Sequence, residues 1–428
     1  MNIQELYHIY QQHPCITTDS RDCPEGSIFL ALKGEKFNGN HYALQALEKG
    51  CAYAIVDEDI ATNTIPNTLN SKLIRVDDCL QTYKDLAREH RRQFHIPVIG
   101  ITGTNGKTTT KELVKAVLSE KYNVLATEGN FNNDVGVPKT LFRLNKGHEI
   151  AIIEMGASHP DDLKPLLAVA QPTHGLITNV GKAHLLGFGS FEGVKYAKGQ
   201  LYDYLKAHDG VAFANADDET LQEMLWERDL AMIPYGLEGV TVLPASADEP
   251  FLRMQLPGGA VLKTHLVGAY NAYNILAALK IGWFFQVPEP DAMAAIASYT
   301  PSNNRSQLLK TEKNTVIVDA YNANPSSMAV ALDNLALAKG KKVALLGDMR
   351  ELGADAAAEH ARVVARLSGT EAFLVGEEFT KAAEGTGIRC FATSDELAAY
   401  LCENPLEGYT VLVKGSRGTR MEKVIASL

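Results

Sequence analysis

Residues 98–108 read Val98-Ile-Gly-Ile-Thr-Gly-Thr-Asn-Gly-Lys-Thr108, and they divide into two parts of different character. The part up to Thr102 is apolar enough for a short buried strand, and apolar residues recur at helical spacing between Leu113 and Leu118. The glycines therefore lie in a turn between a strand and a helix. At such a helix start, backbone N–H groups lack partners within the helix and the dipole is positive, so the turn favours a bound anion. We predict a phosphate-binding loop here.

The loop is a variant of the phosphate-loop motif G-x-x-x-x-G-K-[ST]. In that motif Lys107 would reach the β- and γ-phosphates of a nucleotide and Thr108 would hold Mg²⁺. The strict motif has another glycine five residues before Gly106, where this chain has Ile101. A glycine-rich turn with a solvated lysine is the alternative. We favour the phosphate loop because a strand precedes it, a helix follows it and the Lys-Thr pair is present.

Composition and charge limit the classes of function. A chain of 428 residues suggests roughly two to four domains. Its 46% hydrophobic and 21% charged residues are typical of a globular protein. The net charge of −10 argues against nucleic acid or an anionic membrane as the main partner. The first residues carry neither part of a secretory leader, and no apolar run is long enough to span a membrane, so we expect a cytoplasmic protein. The 6 cysteines show no metal-binding spacing, and we interpret them as reduced thiols without a role.

Changes of pattern along the chain predict three α/β domains. Residues 1–80 form a small unit, in which Asp19-Ser-Arg21 is either an exposed turn or, through Ser20 and Arg21, a grip on a diphosphate. Residues 81–309 contain the phosphate loop and form a mononucleotide-binding parallel sheet. From residue 310 short apolar strands alternate with helices, which predicts a Rossmann-like, doubly wound parallel sheet over 310–428.

Two polar residues of the central segment follow predicted strands. Glu154 ends the strand at 149–153, where a carboxylate can serve Mg²⁺ or simply pair with a nearby lysine. His184 follows the strand at 175–180 and could ligate a metal, although most histidines need no such role.

Other candidates have an ordinary structural alternative as well. Lys195 and Lys198 read by default as solvated helix lysines, and the amide-rich loop 128–138 caps turns more readily than it binds a ligand. Asn271 and Asn274 lie one helical turn apart, an arrangement that can read a purine edge. In the last segment several polar residues follow strand ends, where ligands collect in open α/β sheets, although each could instead cap a helix. These are Asp319, Asp348, Lys414, Ser416 and Arg417.

Taken together, these residues resemble the Mur ligase family, which also includes folylpolyglutamate synthase. The features that carry the resemblance are Gly103-Thr-Asn-Gly-Lys-Thr108, Glu154-Met-Gly-Ala-Ser158, Asn271 with Asn274, Arg305 and Asp319. Four stretches are similar to the branch that adds D-alanyl-D-alanine to UDP-N-acetylmuramoyl-tripeptide: Asp19-Ser-Arg21, Asp319-Ala-Tyr-Asn-Ala-Asn-Pro-Ser-Ser-Met328, Gly347-Asp-Met-Arg-Glu-Leu-Gly353 and Lys414-Gly-Ser-Arg417. The Asp-Asn-Pro-Arg motif of the branch that adds the third peptide residue is absent from the sequence. The resemblance spans nearly the whole chain.

The resemblance implies a first domain that binds the UDP-sugar, a second that binds ATP and a third that binds the incoming dipeptide. It implies ATP contacts from Gly103, Thr104, Asn105, Gly106, Lys107, Thr108, Thr109, Asn271, Asn274, Arg305 and Asp319. It implies Mg²⁺ ligands at Thr108, Glu154 and His184, and catalytic roles for Lys107, Glu154, His184, Lys198 and Arg305. Lys198 resembles a lysine that several relatives carry as a carbamate. Substrate contacts are expected from Ser20, Arg21, Asn130, Asn132, Asn133, Asn322, Asp348, Lys414, Ser416 and Arg417.

The implied reaction is a step of peptidoglycan precursor synthesis, and thus of cell-wall biogenesis. ATP would phosphorylate the terminal carboxylate of the tripeptide, and the amine of D-alanyl-D-alanine would attack the acyl phosphate. Water must be kept from that intermediate, so we expect domain closure with a hinge near Pro301. We expect a monomer.

Two competing interpretations remain. A folylpolyglutamate-type ligase shares the ATP apparatus but does not explain the unit at 1–80 with Asp19-Ser-Arg21. A non-enzymatic phosphate-loop switch leaves Glu154, His184 and the third domain unexplained, and the sequence has no Asn-Lys-x-Asp guanine motif.

Overall fold

The computed structural model describes residues 1–60, 67–245, 249–302 and 304–428. Its strands in chain order, β1 to β21, are Ile16–Thr17, Ile28–Leu30, Lys33–Gly34, Phe37–Asn38, Tyr53–Val56, Leu73–Arg75, Val98–Thr102, Val124–Ala126, Ile150–Glu154, His174–Ile177, Val211–Asn215, Met232–Tyr235, Thr241–Leu243, Arg253–Gln255, Val261–Lys263, Gln307–Lys310, Thr315–Asp319, Lys341–Gly347, Glu371–Val375, Arg389–Phe391 and Tyr409–Lys414.

The α-helices, α1 to α16, are Ile3–Gln12, Ala43–Glu48, Asn67–Asn70, Cys79–Arg92, Lys107–Ser119, Gly136–Leu141, Leu163–Ala170, Leu185–Phe188, Phe191–Ala207, Glu219–Trp226, Asn271–Phe284, Glu289–Ser298, Pro325–Ala336, Ala356–Arg366, Glu377–Ala382 and Ser394–Glu403. Short 3-10 helices cover Gly39–Tyr42, Gly353–Asp355, Arg417–Thr419 and Met421–Ser427. Of the described helices, none combines the length and the apolar character needed to cross a membrane. All six cysteines are free thiols.

Contacts divide the chain into two compact units. The first comprises Met1–Gly100, Asn123–Met155 and Lys164–Thr173, and the second comprises Ile101–Tyr122, Gly156–Leu163 and His174–Leu428. Neither unit begins or ends at residue 80 or 310. The domain boundaries predicted at these two positions therefore stay predictions.

The first unit contains a parallel sheet in the order β1-β2-β5-β6. Its core joins Phe29 and Ile55 of the sheet to Leu6 of α1 and Leu86 of α4. Helix α4 begins where the Asp78 carboxylate accepts the N–H of Gln81, which satisfies one of the otherwise unpaired amides of a helix start. Within the same unit β8 pairs in parallel with β9.

The second unit holds β10, β11 and β12 as parallel neighbours and a larger sheet in the order β16-β17-β21-β18-β19-β20. Only β16 of that larger sheet runs antiparallel to its neighbour. Val316 and Val318 of β17 face one apolar core, while Ile317 faces the other, as the twofold alternation of a strand requires. Helices thus cover both faces, and the predicted doubly wound α/β sheet is confirmed. The sequence prediction omitted β16 and β20, which are edge strands.

Candidate active site

The predicted phosphate loop lies between β7 and α5. All of β7 is buried, and Gly106 caps α5 with a φ of 79°. Gly103 has a φ of 144°, and a Cβ there would come within 2.0 Å of the Thr178 hydroxyl, so only glycine fits. The Lys107 amine donates hydrogen bonds to the carbonyls of Gly103 at 2.7 Å and Thr104 at 3.0 Å. The lysine therefore folds back over the loop that would hold the phosphates.

Asn105 fixes the loop to its surroundings. Its N–H donates to the Asn179 side chain at 3.0 Å, and its carbonyl accepts from the Thr178 hydroxyl at 2.6 Å and from the Asn179 amide at 3.0 Å. Its own side-chain oxygen accepts from Asn324 at 2.8 Å. Thr178, Asn179 and Asn324 were missed as candidates. The strand-end position of the first two was a usable signal, because β10 delivers its end to the same edge as β7.

Asn271 and Asn274 are both buried at the start of α11. The Asn271 amide donates to the Val267 carbonyl at 2.8 Å, and Asn274 donates to the Asn271 side-chain oxygen at 2.9 Å. The Asn274 oxygen accepts from the Thr110 hydroxyl of α5 at 3.0 Å. The pair thus joins α11 to the helix of the phosphate loop, and its contact with adenine stays a prediction.

Glu154, in the first unit, is the last residue of β9 and is buried. Its carboxylate accepts from the Asn132 amide at 2.9 Å, and its N–H donates to the Thr127 hydroxyl at 3.0 Å. The Asn133 side chain accepts the Gly136 N–H at 2.9 Å at the start of α6, whereas Asn130 is exposed. In the loop 128–138, Asn133 therefore caps a helix start, while Asn132 orients the Glu154 carboxylate.

His184 has a left-handed φ of 50°, which is uncommon for a residue other than glycine. Its ring pairs with the Glu351 carboxylate, and the Leu186 N–H donates to the Glu351 carbonyl at 3.1 Å. Burial lowers the pKa of His184, and the charges of Lys107 and Lys198 add to that effect against the opposing effect of Glu351.

Lys198 is buried in α9, so its default interpretation as a solvated helix lysine is wrong. Its amine donates to the Ala157 carbonyl at 3.4 Å and lies 5.5 Å from the centre of the Phe188 ring. Burial lowers its pKa well below the usual 10.5, the charge of Lys107 lowers it further, and Asp162 opposes the shift. Lys195, on the same helix, pairs with Glu223 at 2.7 Å.

The ends of β17 and β21 bring two candidates of the last segment together. Lys414 is buried and ion-paired with Asp319, and it also donates to the Asn322 carbonyl at 3.2 Å. The Ser416 hydroxyl donates to the Ala323 carbonyl at 3.3 Å. Because β17 and β21 are parallel neighbours in register at Asp319 and Lys414, this cluster follows directly from the topology.

Asp348 and Arg21 are held by local partners. The Asp348 carboxylate accepts the N–H groups of Glu378 at 3.1 Å and Phe379 at 2.9 Å, which caps α15. Arg21, in the first unit, makes a two-point ion pair with Asp19 at 2.8 and 2.7 Å, and this pair lowers the pKa of Asp19. The carbonyl of its neighbour Ser20 accepts from Lys49 at 2.6 Å.

A glycine loop between a buried strand and a helix, followed by the doubly wound sheet of β16 to β21, defines a nucleotide-binding α/β protein of several domains. Three models of one family match successive parts of the chain: Mur ligase family, catalytic domain, at residues 14–91; Mur ligase middle domain at 101–282; and Mur ligase, glutamate ligase domain, at 304–417.

Known relatives resemble the chain over its whole length. The UDP-N-acetylmuramoyl-tripeptide--D-alanyl-D-alanine ligase of Bacillus subtilis is 32% identical over 96% of this chain and 92% of its own. A crystal structure of MurF from Acinetobacter baumannii has a TM-score of 0.87 at 29% identity and covers 100% of this chain and 98% of its own. MurF ligase from Thermotoga maritima in complex with ADP has a TM-score of 0.85 at 26% identity, covering 96% of both chains. The chain belongs to the Mur ligase family, and the predicted three-domain architecture is confirmed.

Proposed function

We propose that this chain joins D-alanyl-D-alanine to UDP-N-acetylmuramoyl-tripeptide with ATP, as a cytoplasmic ligase of peptidoglycan precursor synthesis. The proposal rests mainly on the extent of the match, because the UDP-N-acetylmuramoyl-tripeptide--D-alanyl-D-alanine ligase of Bacillus subtilis aligns with 96% of the chain. The family matches at 101–282 and 304–417 include the phosphate loop and the polar ends of β17 and β21. A folylpolyglutamate-type ligase is less well supported, because it leaves the sheet at β1-β2-β5-β6 without a role.

The chemistry needs an activated acyl group. A carboxylate is a poor acyl donor, so the terminal carboxylate of the tripeptide first attacks the γ-phosphorus of ATP and releases ADP. The amine of the dipeptide then attacks the acyl phosphate, the C–O bond to phosphate breaks, and the amine loses a proton. Catalysis of phosphoryl transfer depends mainly on positioning and electrostatics. Lys107 and Arg305 supply positive charge to the transferring group.

The donor chemistry of the chain fits Mg²⁺. The Thr108 hydroxyl and the buried Glu154 carboxylate offer the oxygen ligands that this ion prefers. Within the described ranges no three His, Cys, Asp or Glu side chains cluster to hold a metal. In nucleotide sites Mg²⁺ is commonly bound by one or two carboxylates together with substrate phosphates and waters. When bound, Mg²⁺ neutralises phosphate charge. His184, the other proposed ligand, would exchange its contact with Glu351 for the metal.

Lys198 is proposed as a carbamate. Its amine adds to CO₂ only when neutral, forming an N–C bond and losing a proton, and the lowered pKa of this buried lysine favours the neutral form. Protein equilibrated with ¹³C-bicarbonate is expected to show a carbamate resonance that K198M lacks. An identical spectrum for both proteins would overturn this assignment.

The remaining roles follow the family residue by residue. Asn271 and Asn274 contact adenine, Asp319 the ribose and Arg305 the γ-phosphate. Ser20 and Arg21 bind the UDP-sugar, and because exposed ion pairs are weak, Arg21 can exchange Asp19 for a diphosphate at little cost. The enzyme acts as a monomer, and closure about the turn near Pro301 excludes water; of that turn, Asn303 lies outside the described residues.

Phosphate release tests the function. The purified protein receives Mg-ATP, UDP-N-acetylmuramoyl-tripeptide and D-alanyl-D-alanine, and each is omitted in turn. We expect release only with all three, and a loss of at least about a hundredfold in K107A, since phosphoryl transfer depends on such charges. K115A is the matched control, because Lys115 is an exposed lysine of the same helix. Release without the muramoyl substrate, or only with a folate and glutamate, would contradict the proposal.

A further inference from the structure

The backbone presents Arg305 in an unusual way. Its neighbours Asn304 and Ser306 have left-handed φ values of 52° and 48°, and such strain costs about 1 to 3 kcal/mol per residue unless the surroundings enforce it. The enforcing contact is a 2.6 Å hydrogen bond between the buried Ser306 hydroxyl and Tyr270. The Arg305 Nε is buried and has no hydrogen-bond partner in the part of the chain that the structure describes.

An aromatic ring holds the guanidinium group instead. The centre of the Tyr321 ring lies 3.7 Å from the Arg305 Cζ. The Cζ of Arg417 lies 5.4 Å from the centre of the same ring, and its Nη1 is 3.5 Å from the Tyr321 hydroxyl. One ring therefore carries two arginines.

Strand register brings the three residues together. Asp319 pairs with Lys414, so Tyr321 and Arg417 each follow a paired residue at the same edge of the sheet. On the other side of β17, Gln307 of the antiparallel strand β16 pairs with Val318. Arg305 precedes Gln307 by two positions and reaches the same edge. All three residues lie just outside strand ends, so the register of β16, β17 and β21 sets where the stack forms.

We propose that Tyr321 is a positioning residue whose ring places Arg305 and Arg417 as one unit. This inference rests on the proposed function, in which Arg305 contacts the γ-phosphate, and it places Arg417, an expected substrate contact of the third domain, at the incoming dipeptide. Attraction between a guanidinium group and an aromatic face accounts for the stack, and it restricts two long side chains that would otherwise sample many rotamers. The same ring then links the phosphate end of the site to the amine-donor end.

Nucleotide binding measured by calorimetry isolates the phosphate end, because ADP lacks the γ-phosphate that the analogue AMP-PNP carries. In Y321L we expect the affinity for AMP-PNP to fall about tenfold, as loss of one such contact implies, while the affinity for ADP changes less than about twofold. Y321F keeps the ring and is expected to restore the wild-type preference. Y400L is the matched control, because the ring of Tyr400 in α16 makes the same kind of contact with Arg389 of β20, whose Cζ lies 4.5 Å from the ring centre.

The dipeptide end is measured by steady-state kinetics. Y321L is expected to raise the KM for D-alanyl-D-alanine about tenfold through Arg417, and Y321F, which keeps the ring but not the hydroxyl near Arg417, to raise it less. An unchanged AMP-PNP to ADP preference in Y321L, or a Y321F as impaired as Y321L, would overturn the inference. Y321Q serves the same test if Y321L melts early. If the wild-type protein fails to join the peptides, the proposed function is refuted. The nucleotide measurement needs no peptide substrate, so it still tests the stack at Arg305 on its own.

Discussion

Lys198 and Lys414 are both buried, at 2% and 1% exposure, yet their surroundings differ in charge. Lys414 is ion-paired with the Asp319 carboxylate, and the Asn322 carbonyl accepts a second bond from it. Lys198 has the Ala157 carbonyl and the Phe188 ring beside it, and Lys107 repels its positive charge. A carboxylate in contact stabilises a buried ammonium, while burial without one favours the neutral amine. Two lysines of equal burial therefore suit different chemistry.

The largest expected effect on stability comes from Lys414. In K414M the half-buried Asp319 side chain loses its counterion, so we expect the free energy of unfolding to fall by about 3 kcal/mol. Urea unfolding at pH 7 measures this. The double variant K414M/D319N removes both charges and should recover most of the loss. A double variant as unstable as K414M would show that Lys414 acts through packing and not through charge.

A pH series separates the two lysines next. Folding holds Lys198 neutral below the usual pKa of 10.5, so between its lowered pKa and 10.5 the unfolded chain binds the extra proton and stability rises with pH. The stability of wild type relative to K198M should therefore rise with pH toward 10.5, by at most about 1.4 kcal/mol per unit. Denaturant unfolding of both proteins at each pH measures this difference, because the other titrating groups change the stability of both proteins alike and cancel. A flat difference would mean that Lys198 stays charged.

The smallest effect on stability is expected for K198M at neutral pH. Methionine has a similar length and needs no proton removed on folding, so the free energy of unfolding should not fall by more than about 1 kcal/mol. Phosphate release should nevertheless fall at least about tenfold if the amine acts in the reaction. A variant that keeps full activity would remove Lys198 from the site, and one that loses as much stability as K414M would erase the contrast between the two lysines.

The features that sequence predicted well are local. The phosphate loop needs a strand, two glycines and a helix start within about a dozen residues, and all are legible in order. The polar ends of β17 and β21 followed from the alternation of strands and helices, because parallel strands deliver their carboxyl ends to one edge.

The features that sequence missed depend on contacts between distant segments. The exposure of Lys198 is set by how α9 packs, which a pattern of charged and apolar residues reports poorly in a helix of mixed character. Glu351 pairs with His184 across 167 positions of sequence, and no motif records such a contact. Asp348 fits a ligand site by its strand-end position, and only the structure shows its two bonds to the start of α15.

The bond between Asn105 and Asn324 spans 219 positions of the chain. Asn324 also caps α13 through the Ser327 N–H at 2.8 Å, so one side chain serves both a helix start and the phosphate loop. Contacts of such long range form late, because the entropy of closing the intervening chain must be overcome first. During synthesis the ribosome releases the loop long before its asparagine partner. The nascent chain therefore carries a phosphate loop without this bond until β17 and the start of α13 have emerged.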